Sequence, residues 1–377
     1  MTMQSALSGS LAIYPGCVPA ISGQRPMLAE RILSGKPAGF ALRLLPQLYA
    51  LCGEAHRLCA TLAVNAALGL SDSASGEHAE RLADETAREH IRRIWLDWPI
   101  RLSSSSAVMA AGFGLSELAR CALLKPAGTR DEAAGHWVEE CMLGTTVGNW
   151  LAGWQDDPGG WLDAWSRRSD VWPARLLARC REHAQLTGAA RPLAVHADPV
   201  ALRELAREIE ASASFASEPV WNHVACETGC WTRLGTNVRG IVFDTAWLRL
   251  GARIAELAGL MVMPRDPARS AEALQCGALR IEPGQALGWC EMARGLLLHW
   301  VRVRETQHGP VIDGYRIVAP TEWNFHPRGA LARTLEGLGP VEGAVDRQRI
   351  GALVAAYDPC VAYTVEYAHD VRQVCDA

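Results

Sequence analysis

The sequence predicts an α+β protein, mostly helical, in which a central helix bundle carries a small sheet at its periphery. Three observations predict this. Apolar residues recur at three- and four-residue spacing over several long segments, the pattern of helices that bury one stripe. That period gives way to strand-like runs only from residue 297. Strands and helices do not alternate along the chain, so a doubly wound parallel sheet is not expected.

Taken in order, residues 1–40 are rich in Gly, Ser and Pro and read as an irregular or short-stranded segment. Leu44, Leu48, Leu51, Ala55, Leu58 and Leu62 then form an apolar stripe on two successive helical segments, with Gly53 as the break between them. A polar linker at 71–76 precedes a helix over 77–98, with Ala87, Ile91, Ile94, Trp95 and Trp98 on one face. Residues 103–106 open a turn-rich loop. The tryptophan- and glycine-rich stretch 135–160 fits no single pattern. Helices are predicted over 200–212, with Leu202, Leu205 and Ile209 inward, and over 245–259, with Trp247, Leu250, Ile254 and Leu257 inward. Strands at 297–304 and 315–319 flank His308-Gly309-Pro310 as a hairpin. Residues 329–337 and 347–357 return to helix, and no internal repeat is visible.

Composition narrows the function. At 377 residues, 49% apolar and 21% charged, the chain suffices for a large core, expected as one domain over 1–377. A net charge of −4 offers no basic surplus for nucleic acid. Charged residues or proline interrupt every apolar run well before membrane-spanning length, so no membrane partner is expected. The N-terminus reads as lacking a secretory signal, which makes a cytoplasmic location the expectation. The 12 cysteines then read as core residues or ligands in a reducing compartment rather than as a disulfide framework.

Four short patterns carry potential chemistry. Cys52 stands just ahead of a helix start, where backbone amides favour the thiolate, with His56 on the helix that follows. Cys360 follows Asp358-Pro359, in which proline fixes the backbone and Asp358 is placed to accept from nearby amides. Arg294 sits in Ala293-Arg294-Gly295-Leu296-Leu297-Leu298-His299, and Thr321 in Pro320-Thr321-Glu322-Trp323-Asn324. Each has an ordinary reading: a buried cysteine at a helix junction, an Asp-Pro turn, a surface ion pair, a strand end.

In this order the four patterns resemble the large-subunit family of nickel–iron hydrogenases, over roughly residues 42–70 and 275–366. The resemblance implies a hydrogenase large-subunit-like fold for 1–377, with a divergent helical middle at 71–230. In that family two C-x-x-C pairs hold nickel and iron, and the iron also carries two cyanides and one carbon monoxide. Here each pair keeps its first cysteine, Cys52 or Cys360, and has Ala55 or Tyr363 in place of its second. Glu366 stands where the family's processing signal has histidine, and Cys59 where another family histidine is expected, one helical turn beyond Ala55. The chain is in these respects similar to the assembly proteins of the HupK/HoxV type, degenerate relatives of the large subunit.

The resemblance implies a maturation scaffold without turnover of its own. Cys52 and Cys360 would hold an Fe(CN)2CO fragment, with no nickel expected. Arg294, Pro320, Thr321 and His56 would line it, the guanidinium and hydroxyl donating to cyanide nitrogen. A HypC-type maturation chaperone and the hydrogenase large subunit would be its partners. Two alternatives stay open: a metal-free module that binds maturation chaperones, and a divergent catalytic or hydrogen-sensing subunit. Elsewhere, His223, Cys226 and Cys230 have the spacing of one helical face and, with a further ligand, of a zinc site. His90, His136 and His183 read as surface or satisfied core groups.

Overall fold

A computed structural model describes residues 9–24, 26–70, 76–103, 114–188, 191–235, 242–262, 274–339 and 343–367. All but Gly76 of the expected linker, most of the 103–106 loop and the tail beyond Tyr367 lie outside the described residues.

Two short strands open the fold, β1 (Ser10–Ile13) and β2 (Ile21–Gln24). Helices α1 (Phe40–Leu48) and α2 (Gly53–Ala67) follow, joined by a 3-10 turn at Ala50–Cys52. A Cβ at Gly53 would stand 3.0 Å from the Pro46 carbonyl oxygen, so glycine lets the two helices approach at this corner. The turn also corrects the stripe reading. Ala55, Leu58 and Leu62 are buried, but Leu48 and Leu51 are 39% and 47% exposed, because helical phase is lost between α1 and α2.

Helix α3 (Gly76–Arg92) runs through a π-helical stretch at Arg93–Asp97 into a short helix at Trp98–Leu102. The helix expected over 77–98 is therefore present with one widened turn, and Ala87, Ile91, Ile94, Trp95 and Trp98 are all buried. The undecided stretch 135–160 holds a helix at Glu132–Trp137, a second π-helical stretch at Val138–Leu143 and α4 (Val147–Asp156). Helices α5 (Pro158–Arg168) and α6 (Trp172–Cys180) come next, and Trp150 stacks on Trp154 at 5.7 Å and meets Trp165 edge-on at 5.7 Å. Asp198 caps α7 (Pro199–Ala211) by accepting from the Val200 amide at 2.8 Å.

Helix α8 (Ala246–Val262) buries Trp247, Leu250, Ile254 and Leu257 as expected, and also Arg249, Arg253 and Glu256. It packs against α3, α4 and α9 (Ala344–Tyr357) in the centre of the molecule. Strands β3 (Cys276–Glu282), β4 (Gln285–Met292), β5 (Gly295–Arg304) and β6 (Val311–Val318) make an antiparallel sheet in that order, with α2 lying across it. The expected hairpin is β5–β6. Sequence reading missed β3 and β4: β4 is buried on both faces and shows no alternation, as interior strands do not. A second sheet has the order β2-β1-β7, where β7 (Ala362–Val365) runs parallel to β1 with Ser10 opposite Ala362. No described helix is long and apolar enough to cross a membrane.

Candidate functional site

Pairing between β4 and β5 runs down to Met292 opposite Gly295, which leaves Ala293 and Arg294 as the two-residue turn. Arg294 thus rides at the tip of a rigid hairpin. Gly295 has φ +129°, and a Cβ there would lie 2.6 Å from the Thr228 side chain. The Leu296 amide donates to the Thr228 hydroxyl at 2.9 Å. Asn324, last residue of the short helix Pro320–Asn324, accepts from the Thr228 amide at 2.9 Å and donates to its carbonyl at 2.8 Å. Thr228 therefore locks the arginine turn to the Pro-Thr-x-Trp-Asn segment, which the sequence showed only as two separate patterns.

The Arg294 side chain is 1% exposed. Its Nη2 donates to Glu89 at 2.5 Å, and its Nε lies 3.5 Å from Asp358. Nη1 is buried with no hydrogen-bond partner among the described residues. Asp358 ends α9 at φ +52° and faces Arg93 and Arg253 as well, each at 3.2 Å. The expectation that Asp358 serves nearby amides is corrected: its carboxylate is the counter-ion of three guanidiniums. Burial disfavours its charge, but Arg294, Arg253 and Arg93 outweigh that and hold its pKa down at about 2. Burial likewise opposes the charge of Arg294, and Asp358 and Glu89 more than restore it. Smaller contributions of the same sign come from Cys360 and Cys52, so both sulfurs lie within electrostatic reach of this guanidinium.

Cys360 follows Asp358-Pro359 and is partly exposed. The Thr321 hydroxyl donates to its sulfur at 3.0 Å and accepts from its amide at 3.3 Å. Pro320, buried at the start of the short helix, fixes the backbone that carries Thr321. Cys52 is buried at the N-cap of α2. The expected support from the helix amides is altered here. Glu85 of α3 reaches over and accepts from the Glu54 amide at 2.7 Å and from the Ala55 amide at 3.0 Å. Burial raises the Glu85 pKa to about 7, against the two amides that lower it. Two of the free amides at this helix start are thus satisfied by a carboxyl group rather than left to the thiol.

His56 is buried, stacks on Tyr49 at 4.1 Å and lies with Nδ1 3.0 Å from Nε2 of His299. His299 in turn meets the Tyr315 hydroxyl at 2.7 Å, and burial depresses its pKa to about 3. The ring of His56 thereby ties α2 to β5 and β6. At the two substituted positions, the Ala55 carbonyl accepts from the Cys290 thiol at 3.4 Å, and the Tyr363 ring sits under Arg101 at 4.2 Å. The Cys59 thiol donates to the Leu297 carbonyl at 3.7 Å in the core.

The structure therefore joins Thr321 to Cys360 through two hydrogen bonds, relates Cys360 and Cys52 to Arg294 through charge, and engages His56 with the sheet. Among the described residues no group of three or more His, Cys, Asp and Glu side chains could hold a metal ion. The zinc spacing is corrected: Asn222 and His223 occupy a left-handed turn and a helix begins only at Cys230, so no common face exists. His90 is a satisfied core group, accepting from Arg253 at 3.1 Å and meeting Glu256 at 2.7 Å. Sequence reading missed Glu89, Arg93 and Arg253. Glu89, Arg93 and Asp97 lie four apart, a pattern that on most helices marks a solvated ion-pair ladder.

A family model described as nickel-dependent hydrogenase matches residues 268–366. The hydrogenase expression/formation protein HoxV of Cupriavidus necator is 50% identical over 386 residues, covering 100% of both chains. The hydrogenase expression/formation protein HupK of Bradyrhizobium diazoefficiens is 30% identical over 97% of this chain and 94% of its own. Among solved structures, the reduced nickel–iron–selenium hydrogenase of Desulfovibrio vulgaris Hildenborough superposes with a TM-score of 0.55 at 17% identity, over 90% of this chain and 92% of that one, which shows the fold alone. Built on the fold of the hydrogenase large subunit, the chain belongs to the family of hydrogenase expression/formation proteins that includes HoxV and HupK.

Proposed function

We propose that this protein acts in hydrogenase maturation as a scaffold whose cargo is an iron fragment bearing two cyanides and one carbon monoxide. Cys52 and Cys360 hold the iron as thiolates, giving up their protons on binding. Two sulfurs and three diatomics give the metal five ligands, so a site poor in protein ligands suits this cargo and suits a bare ion badly. Nickel is not part of the load.

The observation that carries the reading is the buried Nη1 of Arg294, without a hydrogen-bond partner among the described residues, on a guanidinium within electrostatic range of two thiols. A buried donor without an acceptor costs about 1–3 kcal/mol, and a cyanide nitrogen would satisfy it. The Thr321 hydroxyl now bonds the Cys360 sulfur. On loading it rotates to the second cyanide, and iron takes its place at the sulfur. His56 and Pro320 hold the surrounding backbone in place. A HypC-type chaperone supplies the fragment and the hydrogenase large subunit receives it, each step an exchange between thiolates without net turnover.

The test is infrared spectroscopy, with iron and nickel counts, on protein purified from a host that makes the maturation machinery. Bands of iron-bound cyanide and carbon monoxide are expected, with iron near one per chain and no stoichiometric nickel. Cys52→Ser and Cys360→Ser should each lose bands and iron together. Iron without bands, stoichiometric nickel, or unimpaired maturation by both serine variants would reject the scaffold. The last result would favour a metal-free docking module.

A further inference from the structure

A second group of sulfurs lies away from Arg294, where α2 rests on the sheet. Cys276 on β3 stands directly opposite Cys290 on β4. The Glu291 amide donates to the Gln275 carbonyl at 2.8 Å, outside the pair, which makes it a non-hydrogen-bonded pair. Such pairs bring their Cα atoms to about 4.5 Å with both side chains on one face. That separation falls within disulfide reach of roughly 4.4–6.8 Å. The two sulfurs influence each other electrostatically, and both are free thiols in this structure.

We propose that Cys276 and Cys290 are a reversible disulfide site oxidised by small-molecule disulfides. Exposure sets the order of events. β3 is an edge strand and Cys276 is partly exposed, whereas Cys290 is fully buried. The Cys276 thiolate attacks one sulfur of the small disulfide, breaks its S–S bond and expels the first small thiolate. The Cys290 thiolate then attacks the Cys276 sulfur of the mixed disulfide and expels the second. Two protein thiols become one disulfide, and their two electrons and two protons leave on the two small thiols. Burial pushes Cys276 up to about 11, so reaction proceeds over minutes to hours.

Oxidation has a consequence for α2. The Cys290 sulfur now donates to the Ala55 carbonyl and touches the Cys59 thiol. Turning toward Cys276 withdraws it from both, and the first turn of α2, next after Cys52, loses that tether. The pair would respond whether or not the Arg294 site carries cargo, so the two proposals stand or fall separately.

The experiment incubates folded full-length protein with excess oxidised glutathione, followed by alkylation and peptide mapping. The expected result is a peptide joining Cys276 to Cys290, lighter by two hydrogens than its two halves and free of glutathione, with reversal by dithiothreitol. Cys290→Ser should stop at a glutathione adduct on Cys276, Cys276→Ser should leave Cys290 reduced, and Cys59→Ser should still cross-link. Amide exchange over 54–56 should quicken in the oxidised form. Both thiols staying reduced until the protein unfolds, or Cys290 pairing with Cys59 instead, would overturn the assignment. Unchanged exchange would overturn the link to α2.

Discussion

Asp358 is where the buried charges converge, and its behaviour in acid follows from its neighbours. Its folded pKa of about 2 lies below the ordinary 3.8. A depressed carboxyl stabilises the fold above its unfolded pKa and loses that contribution as pH falls through the folded one. The carboxylate therefore supports folding above pH 4 by roughly 2 kcal/mol, and that support disappears between pH 4 and pH 2. Asp358→Asn keeps the shape but leaves Arg253 and Arg294 short of a counter-ion. Urea unfolding across pH 2.5–7 should show the variant less stable at neutral pH, with the wild-type difference shrinking in acid. A pH-independent gap between the two would mean that Asp358 is not the ionised partner of these arginines.

At the scale of elements, the β4–β5 turn turns one arginine into a fixed feature of the core. Gly295 has both a positive φ and Thr228 against its missing side chain. Gly295→Ala should cost about 3 kcal/mol, read as a lower urea midpoint at unchanged slope. A variant as stable as the wild type would show that the turn relaxes freely. Much of this level was legible beforehand. The helices at 77–98, 200–212 and 245–259 carried regular stripes, and the β5–β6 hairpin carried its turn residues. Strand β4 was not legible, because a strand buried on both faces lacks the alternation that marks a strand, and its edge partner β3 is half-buried along most of its length and so shows no clear alternation either. Nor was the role of Glu85, since reaching from α3 to the first amides of α2 depends on tertiary placement alone. The residues Arg294, Thr321 and Cys360 could be read in advance through family patterns. Their partners Glu89, Arg93 and Arg253 could not, because charged residues on helices usually face water.

At the scale of the whole molecule, the small sheet β2-β1-β7 anchors the segment that carries Cys360, which ends two residues before β7. Leu11, inside β1, lies opposite Tyr363 on β7 and Gly23 on β2, and like Ile13, whose carbonyl accepts from the Glu366 amide at 2.9 Å, it turns its backbone polar groups toward β7. Leu11→Pro removes an amide donor from this central strand and should loosen β7 while the helices keep their circular dichroism. Alkylation of Cys360 in the folded protein should then quicken, followed by mass spectrometry, with the buried Cys52 and Cys180 little changed. Equal Cys360 reactivity in variant and wild type would show that the sheet does not hold it.

The parallel pairing of Ser10–Ile13 with Ala362–Val365 also dictates timing. During synthesis β1 leaves the ribosome long before its partner strand exists. This pairing, and the hold it gives the segment that carries Cys360, can form only after β7 has been made. A product that stops before Ala362 would therefore leave the Cys360 segment without the strand that follows it.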